Sequence, residues 1–191
     1  MPELSEQEMI DGCLRQEHYW QQQLHIRYYG VLLKVCARYA SNPEDAEQMV
    51  QDAFLRIFSR MDSFKNAGSF EGWMKRITVN ICLDALRSKV GKAAARPQAN
   101  MPSDDYLASD LVQDGLQQLQ FKDLLALIQG LPDLTRTVFN LYVFDGHAHK
   151  QISAALGITE NNSSQHVHLA RQILQKKIKT LHLQYHSYAG K

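Results

Sequence analysis

Apolar residues recur every three or four positions through nearly all of the chain, and no alternating run bounded by a hairpin turn interrupts them. The pattern predicts an all-α protein. It breaks in one place, between Val90 and Asp110, where GKAAARPQANMPSDDYLAS gathers Gly, Pro, Ser and Asp and no apolar face can be drawn. That break reads as a flexible linker between two small helical lobes. The expected division is a first lobe over 1–90, a linker over 91–115, a second lobe over 116–183 and a tail over 184–191. Lobes of this size are small but within the range that folds alone.

In the first lobe, Asn42, Pro43 and Glu44 supply a cap, a proline at the first helical position and an acid in the first turn. The helix they start is predicted to run to about Arg60. Its apolar stripe is Ala46, Met49, Val50, Ala53, Phe54 and Ile57, which leaves Glu47, Gln48, Gln51, Asp52 and Arg56 outward. After a turn at Gly68, Ser69 starts a second helix with Phe70, Trp73, Ile77 and Ile81 as its buried stripe. Arg76, Asn80 and Arg87 are carried away from that stripe, roughly in line.

In the second lobe a helix from about Gln117 to Gln129 is predicted to stop at Gly130, Leu131 and Pro132, and another to cover Leu134 to Phe144. Asp145 and Gly146 then make a turn. Lys150 to Leu156 follows as a short helix, Gly157 as the left-handed residue that ends it, Ile158 as an inward contact and Thr159 as the cap of a longer helix. A short helix, a Gly turn and a longer helix form a helix-turn-helix, whose second helix would lie in a major groove.

Composition sharpens this picture. With 191 residues, 45% apolar and 21% charged, the chain is too apolar to be disordered throughout. A formal charge of +1 hides an uneven distribution. From Arg60 to Arg96 the basic residues Arg60, Lys65, Lys75, Arg76, Arg87, Lys89, Lys92 and Arg96 outnumber Asp62, Glu71 and Asp84, whereas Asp104, Asp105, Asp110 and Asp114 follow. A phosphate backbone responds to local charge of this kind. The N-terminus has no basic patch followed by an apolar run, and no window is long enough to span a bilayer, so a soluble, cytoplasmic protein without membrane insertion is expected. Cys13, Cys36 and Cys82 are odd in number, without CxxC spacing, and read as reduced structural thiols.

Several candidate residues have structural readings beside their functional ones. Phe70 and Trp73 could stack on bases, but their spacing puts them in the core. Asn80 is an amide in mid-helix, poor for propensity, and a polar contact is expected for it, either internal or to a base. Taken alone, the face Glu47, Gln48, Gln51, Asp52 is a solvated helix surface and the loop from Lys65 to Ser69 an ordinary connection. His182 and His186 have one-turn spacing, but no third ligand accompanies them, so no metal is expected. No Gly-rich phosphate loop, activated Ser or Cys elbow or carboxylate pair in a cleft-forming context can be read, which argues against an enzyme and against any catalytic residue.

The succession of Tyr28, Tyr29, Leu32 and Leu33, then DAEQMVQDAFLRIF, SFKNAGSFEGWMKRITVNICLDALR, a polar linker and LPDLTRTVFNLYVFDGHAHKQISAALGIT resembles the extracytoplasmic-function class of bacterial RNA polymerase sigma factors. The likeness runs from roughly Ile26 to Ile178, with the first lobe as region two and the last as region four. It implies promoter-specific transcription initiation with core RNA polymerase and promoter DNA as partners, an anti-sigma factor as a frequent further one, and no cofactor. By the same resemblance Gln48, Gln51, Asp52 and Arg56 would dock on the polymerase. Lys65, Asn66, Gly68 and Ser69 would take up a flipped base of the minus-ten element, with Arg76 and Asn80 on the same single strand. Ser164, Gln165, His168 and Arg171 would read the minus-thirty-five element as duplex. The linker would thread toward the active-site channel.

Departures from the family pattern cluster on the last helix. Ser164 and Leu169 stand where Lys or Arg is usual, and Ser163 where an apolar residue or Thr is frequent. Lys176, Lys177 and Lys179 remain as a basic cluster near the end. Two other functions stay open at this point: a stand-alone helix-turn-helix regulator, and a polymerase-binding decoy with a weakened recognition helix.

Overall fold

The structure, a computed structural model, describes residues 5–65, 68–90 and 115–189, with side chains for 5–65, 68–88 and 122–180. Eight α-helices and no strand make up the described residues. The chain divides into two compact units, Met1–Asn100 and Met101–Lys191. The expected linker lies almost wholly outside the described residues.

In the first unit, α1 (Glu6–Leu14), α2 (His18–Tyr39), α3 (Pro43–Ser59) and α4 (Phe70–Val90) pack around one core. Each start has a local cause. Ser5 and Glu8 form a reciprocal capping box at α1, with Glu8 N donating to Ser5 Oγ at 3.2 Å and Ser5 N to Glu8 Oε2 at 3.1 Å. Asn42 Oδ1 accepts from Asp45 N at 2.7 Å, with Pro43 at the first helical position of α3. Ser69 Oγ accepts from Gly72 N at 2.9 Å at the head of α4. Leu24, Leu32, Cys36, Tyr39, Val50, Ala53, Ile57, Met74 and Cys82 form the driest part of the core. The Tyr28 hydroxyl donates to Glu6 Oε2 at 2.7 Å and ties α1 to α2; burial, and then this carboxylate, push the Tyr28 phenol well above its ordinary range.

All three cysteines are buried free thiols. Burial pushes the Cys13 thiol up to about 11, so at pH 8 only on the order of one molecule in a thousand carries a thiolate there. Because the folded value lies above the unfolded one, ionisation favours unfolding, and this contribution to stability is lost as pH rises from about 9 to about 11. Iodoacetamide at pH 8 is expected to leave Cys13 unmodified in the native protein and to label it in urea, read by mass spectrometry of tryptic peptides.

The second unit comprises α5 (Gly115–Gln129), α6 (Asp133–Phe139), a π turn (Asn140–Phe144), α7 (His149–Leu156) and α8 (Glu160–Ala189). Ile128, Leu131, Phe139, Ala170 and Leu174 meet in its core, flanked by Leu127, Phe144 and Ile173. The helix expected over Leu134 to Phe144 is therefore two pieces. Its second half widens so that Asp145 N donates to Asn140 O at 3.0 Å and Leu141 turns inward, while Tyr142 and Val143 face out. From 184 onward, where a tail was expected, the backbone of α8 stays helical to Ala189.

The helix-turn-helix forms as its residues dictate. Gly157 adopts φ 68, ψ 31, the left-handed conformation that ends α7, and Thr159 Oγ1 accepts from Asn162 N at 3.1 Å at the head of α8. Ile158 is half-buried between them. Gly157→Ala is expected to cost about 1–2 kcal/mol, because a Cβ is disfavoured at this φ. Thermal unfolding of the two proteins measures the difference.

Candidate nucleic-acid interface

α4 is buried almost all the way round. Phe70, Met74, Lys75, Ile77, Thr78, Val79, Ile81, Cys82 and Leu83 are all inside. Through residues 74–83 only Arg76 and Asn80 are not buried, and with Trp73, Asp84 and Arg87 they lie on one side of the helix at about 100° per residue. Arg87 is exposed and pairs with Asp84 at 3.1 Å. Arg76 and Asn80 are half-buried, and the side chain of neither makes a hydrogen bond to another described residue. Of the two partners expected for Asn80, an internal one is therefore absent among the described residues.

Trp73 departs from its expected place in the core. It is half-buried at the edge of the open strip, stacked on Phe70 (5.6 Å between ring centroids, 17° between planes) and beside Phe64 at 5.5 Å. Met74 takes the fully buried position instead. The aromatic wall leads from α4 back to the preceding loop. There Lys65 is exposed, with its ammonium donating to Asp62 O at 3.3 Å, and Gly68 has φ 99 beside the exposed capping Ser69. Asn66 lies outside the described residues. Lys75, counted above with the basic residues, is nearly buried and paired with Glu71 at 2.6 Å, so its charge is directed inward.

On α3, Gln48, Gln51 and Asp52 are exposed and Arg56 is half-buried, with Gln48 Nε2 donating to Asp52 Oδ1 at 3.1 Å. The sequence reading missed the residue that completes this face: Leu55, 69% exposed, one turn beyond Gln51 and Asp52.

On α8, Ser164, Gln165, His168 and Arg171 are all exposed, and Leu169 is 41% exposed beside them. The inner face is Ser163, Val167, Ala170 and Leu174. Two histidine–hydroxyl pairs anchor it: His149 Nδ1 lies 2.9 Å from the buried Ser163 Oγ, and His166 Nδ1 lies 3.0 Å from Thr135 Oγ1. Tyr142, on the π turn, stacks on His149 at 4.5 Å with 10° between planes. Ser163 thus serves α7. Lys177 donates to Gly130 O at 3.0 Å and covers the end of α5, which leaves Lys176 and Lys179 as the exposed cations of that cluster. Among the described residues no three metal-ligating side chains gather, and no helix is long and apolar enough to cross a membrane.

Both units match known families. Residues 24–91 match the Sigma-70 region 2 family and residues 121–174 the Sigma-70 region 4 family. The chain is 28% identical over 145 residues to the ECF RNA polymerase sigma factor SigE of Mycolicibacterium smegmatis, spanning 74% of this chain and 55% of that protein. It is 27% identical over 161 residues to SigW of Bacillus subtilis, spanning 81% and 86%. Two solved structures are also similar. One, CnrH in complex with the cytosolic domain of CnrY, is 19% identical with a TM-score of 0.48, covering 90% of this chain and 96% of that one. The other, the sigma factor RpoE of Bartonella quintana in complex with the anti-sigma factor NepR, is 20% identical with a TM-score of 0.49, covering 83% and 96%. The chain belongs to the sigma-70 family of RNA polymerase sigma factors, in its extracytoplasmic-function class.

Proposed function

We propose that this sigma factor divides promoter recognition between its two units while the outer face of α3 holds core RNA polymerase. The open strip of α4 and the loop before it take the non-template strand of the minus-ten element. Arg76 meets the phosphates, the Asn80 amide meets a base edge, and Lys65, Asn66, Gly68 and Ser69 receive a flipped base next to Trp73. Extruding that base costs a few kcal/mol, which stacking and hydrogen bonds offset. Through Ser164, Gln165, His168 and Arg171, α8 reads the minus-thirty-five element in the major groove. Gln48, Gln51, Asp52 and Arg56, joined by Leu55, form the polymerase-binding face.

The observation that carries this reading is Asn80, an amide without an internal side-chain partner among the described residues, half-buried on the open side of the enclosed middle of α4. The chain contributes binding and strand separation and no covalent chemistry, and acts in the cytoplasm with the polymerase. An anti-sigma factor is the expected antagonist.

Equilibrium binding of the chain–core assembly to two probes tests the division. Arg76→Ala is expected to weaken binding to a single-stranded minus-ten oligonucleotide and leave a minus-thirty-five duplex untouched. Arg171→Ala is expected to do the reverse and to lower the salt-dependence slope on duplex by about one. Equal losses on both probes would overturn the division.

A further inference from the structure

The outward centre of α8 carries amides instead of cations, and we infer that its duplex element is read chiefly at adenine·thymine pairs through Asn161 and Gln165. The inference rests on the proposal that α8 lies in a major groove. Its geometry comes from the inner face. Ser163, Val167, Ala170 and Leu174 are buried, and the hydrogen bonds between His149 and Ser163 and between His166 and Thr135 fix how the helix is rotated about its own axis. At about 100° per residue, the residues opposite that face are Asn161, Gln165, His168 and Gln172, all exposed. Ser164 and Arg171 fall toward one edge, and Leu169 toward the other, each about a fifth to a quarter of a turn from the centre.

Side-chain chemistry then selects the base. Arg and Lys pair bidentately with guanine O6 and N7, whereas Asn and Gln pair with adenine N6 and N7, and an apolar side chain meets the thymine methyl. Neither Asn161 nor Gln165 makes a hydrogen bond to another described side chain, so each amide keeps its donors and acceptor for a base. They stand one turn apart, about 6 Å along the axis, close to two steps of duplex. The Gln172 amide lies 3.0 Å from His168 Nε2 and orients that ring, and Leu169 is placed for a thymine methyl at the groove edge. Arg171, the side chain among these suited to bidentate pairing with guanine, lies at the opposite edge.

The test uses the full chain with core polymerase and a promoter library with a fixed minus-ten element and a randomised upstream segment, sequencing the templates that yield open complexes. The wild type is expected to enrich adenine at two nearby upstream positions. Gln165→Ala should lower the preference at one of them by about tenfold, and Gln165→Arg should replace adenine there by guanine. Enrichment of guanine at both positions by the wild type, or a profile unmoved by Gln165→Ala, overturns the base assignment while leaving groove binding intact. Open complexes without any upstream preference overturn both.

Discussion

Leu55→Asp is expected to weaken capture of core polymerase at least about thirtyfold while leaving the fold unchanged. Leu55 is 69% exposed on a stripe with Gln48, Gln51 and Asp52, four positions that share one side of α3. A single exposed leucine is ordinary on a protein surface. Set within a patch of short polar side chains on a helix whose other face is fully packed, it has the form of an apolar contact with a polar rim. Burying it against a partner contributes about 2 kcal/mol, and replacing it by a carboxylate removes that gain and adds a desolvation cost. Affinity should fall roughly thirtyfold or more. Titration of labelled core polymerase measures this, with the melting temperature as the control for folding. Unchanged affinity would place the docking surface elsewhere.

Asn80→Ala is expected to separate function from stability in the second direction. The Asn80 side chain has no hydrogen bond to another described residue, and alanine is the better helix former by roughly 0.6 kcal/mol, so the variant should be as stable as the wild type or slightly more so. An amide paired with a base edge contributes about 1–3 kcal/mol of discrimination, so opening of the minus-ten element should drop about tenfold or more. Permanganate reactivity of unpaired thymines reads the opening, and thermal unfolding reads the fold. If both measurements fall together, Asn80 is a structural residue and its assignment to the strand is wrong.

Sequence alone revealed the features that neighbours in the chain decide. Asn42 with Pro43, Ser69, Thr159 and Gly157 each set a helix boundary through bonds spanning only a few residues, and all four act as the pattern predicted. Features decided by the other helices were hidden. In the run FLRIF helical spacing already separates Phe54 and Ile57 on the buried stripe from Leu55 off it, but an outward leucine in an apolar run carries no mark of its own that it belongs to the polar face. A stripe argument assumes a helix buried on one side. α4 is enclosed on nearly all sides, which is why Lys75 is nearly buried and why Trp73, placed on the stripe by spacing, sits at its edge. From Val138 to Phe144 only Asn140 is polar, so the widened turn there leaves no trace in the pattern. The pairing of His149 with Ser163 and of His166 with Thr135 joins residues 14 and 31 positions apart, and their separation carries no periodic signal.

That this chain gives core polymerase its choice of promoter is open to direct experiment. The most direct test is the mapping of transcript 5′ ends made by purified core polymerase on fragmented genomic DNA, with and without the protein. Discrete start sites that appear only when it is added, share a common upstream element and disappear with Asn80→Ala are the predicted result. A protein that binds core polymerase yet yields no new start sites would contradict the claim.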